Sequence, residues 1–592
     1  MKLFLDESLS PDPTNTTAGR YDGEWTFLTV YPHAMRLLSP GRLEPEIALE
    51  NLDLRKDPGP FRCEVRAGDE LDVLIDFGTE LVGHLTVELK LPSGGGIACS
   101  TGESELEARD WGPASQCKGQ RPRKQNFYPS SAGLFSFQIE EGAFRFARIR
   151  LAGVVGKVEL LKIAVEAQFY GKERRSRFQC EDPFWQRLWE STLYTARLNT
   201  RPDEFWDGPK RDRHLWWGDG RMVKGSFDFG YFDPRPTERL LAKFPLKQWA
   251  NNIPVFSFES IKMVREHLQC YGLSDTVVSS IRDRFWPQMD WIISTQCGED
   301  GRVERRDDVE YFFKMGFVDW SPMPLGGRME ELSIEQFFWL ECLQDAAWIA
   351  RQLGDEPRST DYLARAVRLR SLLRKLFRTK GGFHHTLGLA ETPETPWRMP
   401  LDFGMHYQKT YVEKLNFGPS GPSLHSNARA VFASLMNPGE EAELKATLAS
   451  ETLPPIITGY YQAYVPSARA LCGDPEGAAA GVKDYFGAML DELQTPCIWE
   501  SFEPLKKNNP EVWGINAWPK GLCHGFSCGM TRFILRHLVG AEITAPGYGE
   551  VHLHEQAVFR RAFKLTLPTP QGELTIERTE ASAPVVISRH TN

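Results

Sequence analysis

The hydrophobic period of this chain changes twice along its length, and those changes bound what it can fold into. In residues 1 to about 172 apolar side chains alternate. Val73, Ile75 and Phe77 do so, then Leu85, Val87 and Leu89, then Ala147, Ile149 and Leu151, then Ile163, Val165 and Ala167. Period two marks half-buried strands. Gly78 and Gly83 between the first two sets predict a β-hairpin, and clusters such as Pro92 to Gly96 mark further turns. An antiparallel β-sandwich is the natural closure for such strands. Glu103, Glu105 and Glu107 read as solvent-facing strand and loop residues.

From about 173 to 540 the period becomes helical. Val278, Ile281, Phe285, Met289 and Ile292 fall three or four apart in a helix over 274–296, with Ser274 as N-cap and a kink or break expected at Pro287. A second runs from Ser333 to about Leu353 and stops at Gly354. Further helical patterns occupy 181–199, 236–251, 357–377, 424–437, 440–450, 457–472, 475–493 and 521–539. From 541 to 592 alternation returns in Phe563, Leu565 and Leu567, a turn at Pro570 to Gly572, then Leu574 and Ile576. That last stretch is too short to fold alone and is expected to pack on the helices.

Composition narrows the function. A chain of 592 residues is too long for one core. The net charge of −9, with no long basic stretch, argues against a nucleic-acid partner. No apolar run approaches the length of a membrane span. Asp6 and Glu7 interrupt the N-terminus where a leader would be apolar, so the cytoplasm is the expected compartment, a secreted protein with its leader removed being the alternative. The 11 Cys are scattered without Cys-x-x-Cys pairs and read as reduced, mostly buried thiols. No zinc or EF-hand spacing, Walker loop, Gly-x-Ser-x-Gly elbow or dinucleotide fingerprint occurs, so neither metal nor cofactor is expected.

The chemistry concentrates in Asp203 to Asp219. These 17 residues hold five carboxylates, three fixed cations, one His and three Trp. They have no regular period and read as a long loop with a Gly-Pro turn. Carboxylates so dense need compensation, and Lys210, Arg211 and Arg213 are the cations at hand. Carboxylates and Arg bond hydroxyls, and indole faces cover the apolar face of a sugar. A solvated surface loop would carry similar charges, but rarely three Trp.

Asp207-Gly-Pro-Lys-Arg-Asp212, continuing through Leu215-Trp216 to Gly218-Asp219, resembles the signature loop of bacterial α-L-rhamnosidases, glycoside hydrolase family 78. There the loop typically reads Asp-Cys-Pro-Gln-Arg-Glu, then Arg-Leu-Gly-Trp-Thr-Gly-Asp. The acidic spacing is kept, with Asp212 in place of the family's Glu and His214-Leu215 in place of Leu-Gly. The run from Asp76 to Leu85 resembles the same family's N-terminal sandwich. The resemblance implies a multidomain chain: an N-terminal β-sandwich (1–172), a central catalytic (α/α)6 barrel (173–540) and a small C-terminal β-domain (541–592).

It also implies roles. Cys497-Ile-Trp-Glu-Ser-Phe502 resembles the family's Thr-Leu-Trp-Glu-Arg-Trp, whose Glu is the general base, so Glu500 is expected to be the base and Asp212 the general acid. Glu503 and Glu204 are the competitors for those two roles. Asp207, Arg211, Trp216, Asp219, Trp499 and His524 are expected to bind the terminal sugar. Asp319-Trp320 resembles a Gly-Asp-Trp segment lining the pocket, Trp320 being the sugar contact, although an N-cap Asp beside a core Trp would look alike. Tyr460 and Tyr461 read as core. The expected activity is exo-acting, inverting removal of a terminal sugar from a carbohydrate substrate, by a monomer or homodimer. A related (α/α)6 hydrolase, a uronate lyase, or a carbohydrate-binding protein with a decayed site are the alternatives.

Overall fold

The computed structural model describes residues 19–39, 56–109, 124–171, 174–210, 212–311, 318–319, 321, 331–387, 421–453, 455–492, 496–502, 521–554 and 558–590. Its N-terminal part is an antiparallel sheet of ten strands. The predicted hairpin is instead one strand, Leu71–Leu91. Its first part pairs with Ala34–Leu37 and Gly142–Ala152, its last part with Gly133–Gln138 and Gly156–Tyr170. The register shifts between Asp76 and Leu81, where Gly78 has φ +71°. A bulge, not a reversal, is what this glycine provides, and it lets one strand serve both halves of the sheet. Val73, Ile75, Val87, Ile149 and Val165 are among the residues of the single core those halves share.

The middle of the chain is helical. Helices Trp217–Gly230, Pro254–Tyr271, Ser333–Gln352, Leu424–Phe432, Gly459–Leu471 and Met530–Ile534 each pack on the next, and the last returns to the first. They form the inner ring, and every residue of Trp217–Gly230 is buried. Glu356–Phe377 lies outside it on Ser333–Gln352, with only one apolar stripe buried.

Two inner helices escape sequence periodicity. Trp217–Gly230 carries four glycines among its 14 residues, with charged side chains on several faces. Its glycines are there for close approach: a Cβ on Gly218 would lie 2.5 Å from the Phe256 ring, and one on Gly225 2.1 Å from the Arg532 guanidinium. The helix predicted over 236–251 is only Arg235–Leu241, and Pro254–Tyr271 follows it unpredicted. Over 274–296 the helix persists through Pro287, relieved by π-helical turns at Ile281–Phe285 and Ile292–Gln296. Ser274 caps it, its Oγ accepting from the Val277 amide.

The C-terminal hairpin Phe563–Thr569 and Gly572–Arg578 forms as expected, in a four-stranded sheet with Val586–His590 and Arg177–Cys180. The last of these comes from the start of the helical region, so chain beginning and chain end of that region are stitched together. The ten described cysteines are all free, and eight are buried. No helix among the described residues is long and apolar enough to cross a membrane.

Glu335, in the first turn of Ser333–Gln352, is fully buried, and neither carboxyl oxygen has a partner among the described residues. Burial pushes its pKa from 4.5 to about 8. A carboxyl whose folded pKa is raised contributes stability that is fully present below the unfolded pKa and is lost as pH rises through the folded one. Glu335→Gln is therefore expected to leave the thermal midpoint at pH 4 to 5 near wild type. At pH 9 it should raise stability by a few kcal/mol, since each tenfold change in proton affinity is worth about 1.4 kcal/mol. Melting curves at both pH values check this; an equal difference at the two would refute it.

Candidate active site

The signature segment folds back on itself. Trp206 N donates to Asn199 O at 2.8 Å, and Asp207 N to His214 O at 3.2 Å. His214 N donates in return to Asp207 Oδ1 at 3.2 Å, which closes the neck of a loop over 207–214. At its tip Asp212 and Arg213 take φ of 57° and 50°, a region non-glycine residues rarely adopt. Trp216 then ends the loop and caps helix Trp217–Gly230, Gly220 N donating to Trp216 O at 2.7 Å. Asp219 thereby lies in the first helical turn, where exposed amides and the helix dipole favour an anion.

The second segment, 497–502, is pinned from several sides. Ile498 N donates to Thr195 Oγ1 at 2.9 Å. Phe502 N donates to Ile457 O at 2.8 Å, and Ser501 bridges Thr458. Glu500 N donates to Gly521 O at 3.0 Å, and Gly521 N returns a bond to Glu500 Oε2 at 3.1 Å. His524 N donates to Ile498 O at 2.9 Å. The two segments meet where Gly525 N donates to Asp207 O at 2.5 Å.

Four of the expected site residues converge there. His524 Nε2 lies 3.9 Å from Asp207 Oδ2 and 3.8 Å from Glu500 Oε2, and Nδ1 lies 3.8 Å from Asp219 Oδ1. All four side chains are at least nine-tenths buried. Nδ1 accepts from Phe526 N at 3.3 Å, which leaves the ring proton on Nε2, facing Asp207 and Glu500. The spacings exceed hydrogen-bond length.

The other expected residues are placed as follows. Trp216 is half-buried beside the cluster, edge-on to Phe256 with ring centroids 6.1 Å apart. Trp499 is buried behind Glu500, edge-on to Phe502 at 5.6 Å. Asp212 is exposed at the loop tip and makes no hydrogen bond or ion pair among the described residues. Glu204 is half-buried, accepts from the Trp206 indole at 2.6 Å and interacts electrostatically with Arg201. Arg211, Trp320 and Glu503 lie outside the described residues. Asp319 is buried and paired with His425 Nε2 at 3.0 Å. Its neighbour Ser321 accepts from Ile457 N at 3.0 Å, which joins this segment to the strand-like pair beside Glu500. Nothing in the helical period of 424–437 distinguishes His425 as a partner for Asp319.

Two of the three loop cations, Lys210 and Arg213, reach carboxylates outside the loop. Arg213 pairs with Glu141 at 2.5 Å, and Lys210 with Glu103 at 2.8 Å and Glu107 at 3.3 Å. All three partners belong to the N-terminal β-domain. Glu103 and Glu107 are therefore buried rather than solvent-facing. Burial raises the Glu103 carboxyl above its usual range despite the Lys210 ammonium beside it. Burial works the same way on Glu141, but there Arg213 and Arg201 outweigh it and the net shift is downward.

A cavity of about 410 Å³ inside the helical ring does not contain this cluster. Phe526, whose ring lies 6.2 Å from that of His524, stacks on Tyr460 with centroids 4.3 Å apart, and Tyr460 donates to Glu259. The cavity walls are a self-neutralised network: Arg221 with Glu259 and Glu266, Lys262 with Glu341 and Asp345, Arg429 with Glu341. Burial alone would raise the Glu259 carboxyl, but Arg221 and Arg429 hold it below its usual range. Tyr460 and Tyr461 are fully buried, as the sequence suggests.

Three carboxylates and an imidazole are thus gathered where the ends of two segments of the helical region meet. Residues 173–417 match the family described as the bacterial α-L-rhamnosidase six-hairpin glycosidase domain. That stretch includes the signature loop, and the match supports the family resemblance that the loop carries. Among solved structures, the family 78 rhamnosidase of Bacillus sp. GL1 is 17% identical, with a TM-score of 0.68 over 88% of this chain and 52% of its own. A rhamnosidase from Klebsiella oxytoca with rhamnose bound is 19% identical, TM-score 0.63, over 86% of this chain and 95% of its own. The Streptomyces avermitilis α-L-rhamnosidase complexed with L-rhamnose is 12% identical, TM-score 0.63, over 95% and 50%. The chain thus spans about half the length of two of these three. No curated protein matches the sequence.

Gly525 carries the junction of the two segments. A Cβ there would lie 2.3 Å from Val223 Cγ2 and 2.7 Å from Trp206 O. Gly525→Ala is expected to force the backbones apart and cost about 1–3 kcal/mol. Urea unfolding measures it; an unchanged midpoint would mean that the junction is loose.

Proposed function

We propose that this chain is an exo-acting glycoside hydrolase of the α-L-rhamnosidase type, and that its carbohydrate substrate presents its terminal sugar to the Asp207, Asp219, Glu500 and His524 cluster. The observation carrying this reading is the convergence of three buried carboxylates, from two segments far apart in the chain, on one imidazole at 3.8 to 3.9 Å. The closed contact circuit of the inner helices supports an (α/α)6 barrel, flanked by a β-sandwich over 1–172 and a small β-domain over 541–592.

Glu500 is the general base, and its carboxylate takes a proton from the attacking water. Asp212 is the general acid that protonates the leaving oxygen. Its exposure at the loop tip suits a group that must meet an aglycone of varied shape. Asp207 and Asp219 accept hydroxyl hydrogen bonds and His524 Nε2 donates one, with Arg211 a further donor. Trp216, Trp320 and Trp499 supply apolar walls. Inversion places a water between sugar and base, which corresponds to carboxyls roughly 6.5–9.5 Å apart in the substrate complex.

The test is hydrolysis of an aryl α-L-rhamnoside against α-L-arabinoside and β-D-glucuronide analogues, with the first-released anomer read by NMR. Release of inverted L-rhamnose from the first substrate is expected. An unsaturated product would make the chain a lyase, and no turnover of any would leave a binding protein. Glu500→Gln is expected to lower kcat about 10²–10⁴-fold with ground-state binding largely kept. Asp212→Asn is expected to fail most on substrates with poor leaving groups; a loss confined to Glu204→Gln would move the acid role there.

A further inference from the structure

We propose that Glu103 of the N-terminal β-domain is a positioning residue for this site, one carboxylate oxygen holding the signature loop and the His524 turn at the same time. Glu103 Oε2 lies 2.8 Å from Lys210 Nζ and accepts from Leu522 N at 2.7 Å. Lys210 stands three residues after Asp207 and two before Asp212, and Leu522 two before His524. The brace therefore fixes the proposed acid, one sugar ligand and the imidazole relative to one another, from outside the helical ring.

Three further observations make it a built feature rather than an incidental ion pair. The ammonium and the Glu103 carboxylate are 2% and 0% exposed, so neither has water to fall back on. Glu107 completes the setting: Oε1 lies 3.3 Å from Lys210 Nζ, and Oε2 accepts from Glu103 N at 2.8 Å, which holds the Glu103 backbone against the same cation. The surrounding packing is also shared between domains. Cys497 and Cys523, close in sequence to Glu500 and His524, pack into the β-domain core together with Tyr194 and Leu198. Tyr194 OH donates to Glu80 O at 2.5 Å, a third tie at the same seam.

A buried cation that loses one of its anions strains whatever carries it, whereas removing both members of the Glu103–Lys210 pair leaves only Glu107, which keeps its hydrogen bond from the Glu103 amide. That asymmetry separates positioning from plain interdomain stability. The proposal rests on the glycosidase reading for its effect on turnover, but not for the brace itself, so two readouts are taken on the full chain. The variants are Glu103→Gln, Lys210→Gln and the pair together.

In hydrogen–deuterium exchange, each single variant is expected to speed uptake in both peptides spanning 207–216 and 521–528, and the pair to restore much of the protection. In kinetics, each single is expected to lower kcat about 10- to 100-fold with KM little changed, the scale of an ångström-level misplacement, and the pair to recover most of it. Singles that melt earlier yet keep wild-type kcat and wild-type exchange in both loops would overturn the proposal, as would a pair no better than either single. If the wild-type chain cleaves none of the glycosides, the glycosidase reading falls and exchange alone decides. Should Glu103→Gln fail to fold, Lys210→Gln removes the cation outright and carries the same two readouts.

Discussion

Three carboxylates held out of water around one imidazole set the terms for the rest of this molecule. Moving a charge from water into a protein interior costs several kcal/mol, and like charges side by side add to that. The chain meets the cost locally. Asp207 accepts from the His214 amide, Glu500 from the Gly521 amide, and Asp219 sits at a helix N-terminus. His524 stands between the three with its ring proton directed at two of them. Carboxylates accept and an imidazole N–H donates hydrogen bonds to hydroxyls, the chemistry on which the proposed sugar pocket rests.

Keeping those groups together falls to the backbone junction at Gly525 and to the inner helices behind it. Small residues let elements approach until the segments meet: Gly218 against Phe256, Gly225 against Arg532, Gly525 against Val223 and Trp206. Beyond the stacked Phe526–Tyr460 pair the ring holds its charges in matched pairs.

The β-domain is part of this arrangement and not an appendage. Lys210 and Arg213, which stand among the signature carboxylates in sequence, turn away from them and enter carboxylate settings on the β-domain. The consequence is a loop with two of its cations anchored in the β-domain while Asp207 lies beside His524 in the helical region. Cys497 and Cys523 make the same crossing on the opposite segment, as packing rather than charge.

Much of this was legible in the sequence. Period two and period 3.6 marked the β–helix–β order, the Ser274 cap, the stop at Gly354 and the closing hairpin, because those features depend on neighbours within a few residues. The resemblance of their motifs to the family's pointed to Asp207, Asp219, Glu500 and His524, and the structure brings these four together. Three things were decided only by tertiary structure. The strand Leu71–Leu91 runs through Gly78 because a bulge lets it pair in both halves of the sheet. Helix Trp217–Gly230 forms despite four glycines because the surrounding side chains close on it where any Cβ would intrude. And Glu103, which reads as a surface residue between polar neighbours, is buried because Lys210 and the Leu522 amide reach it from far along the chain, the amide from 419 positions away, a pairing that no local pattern encodes.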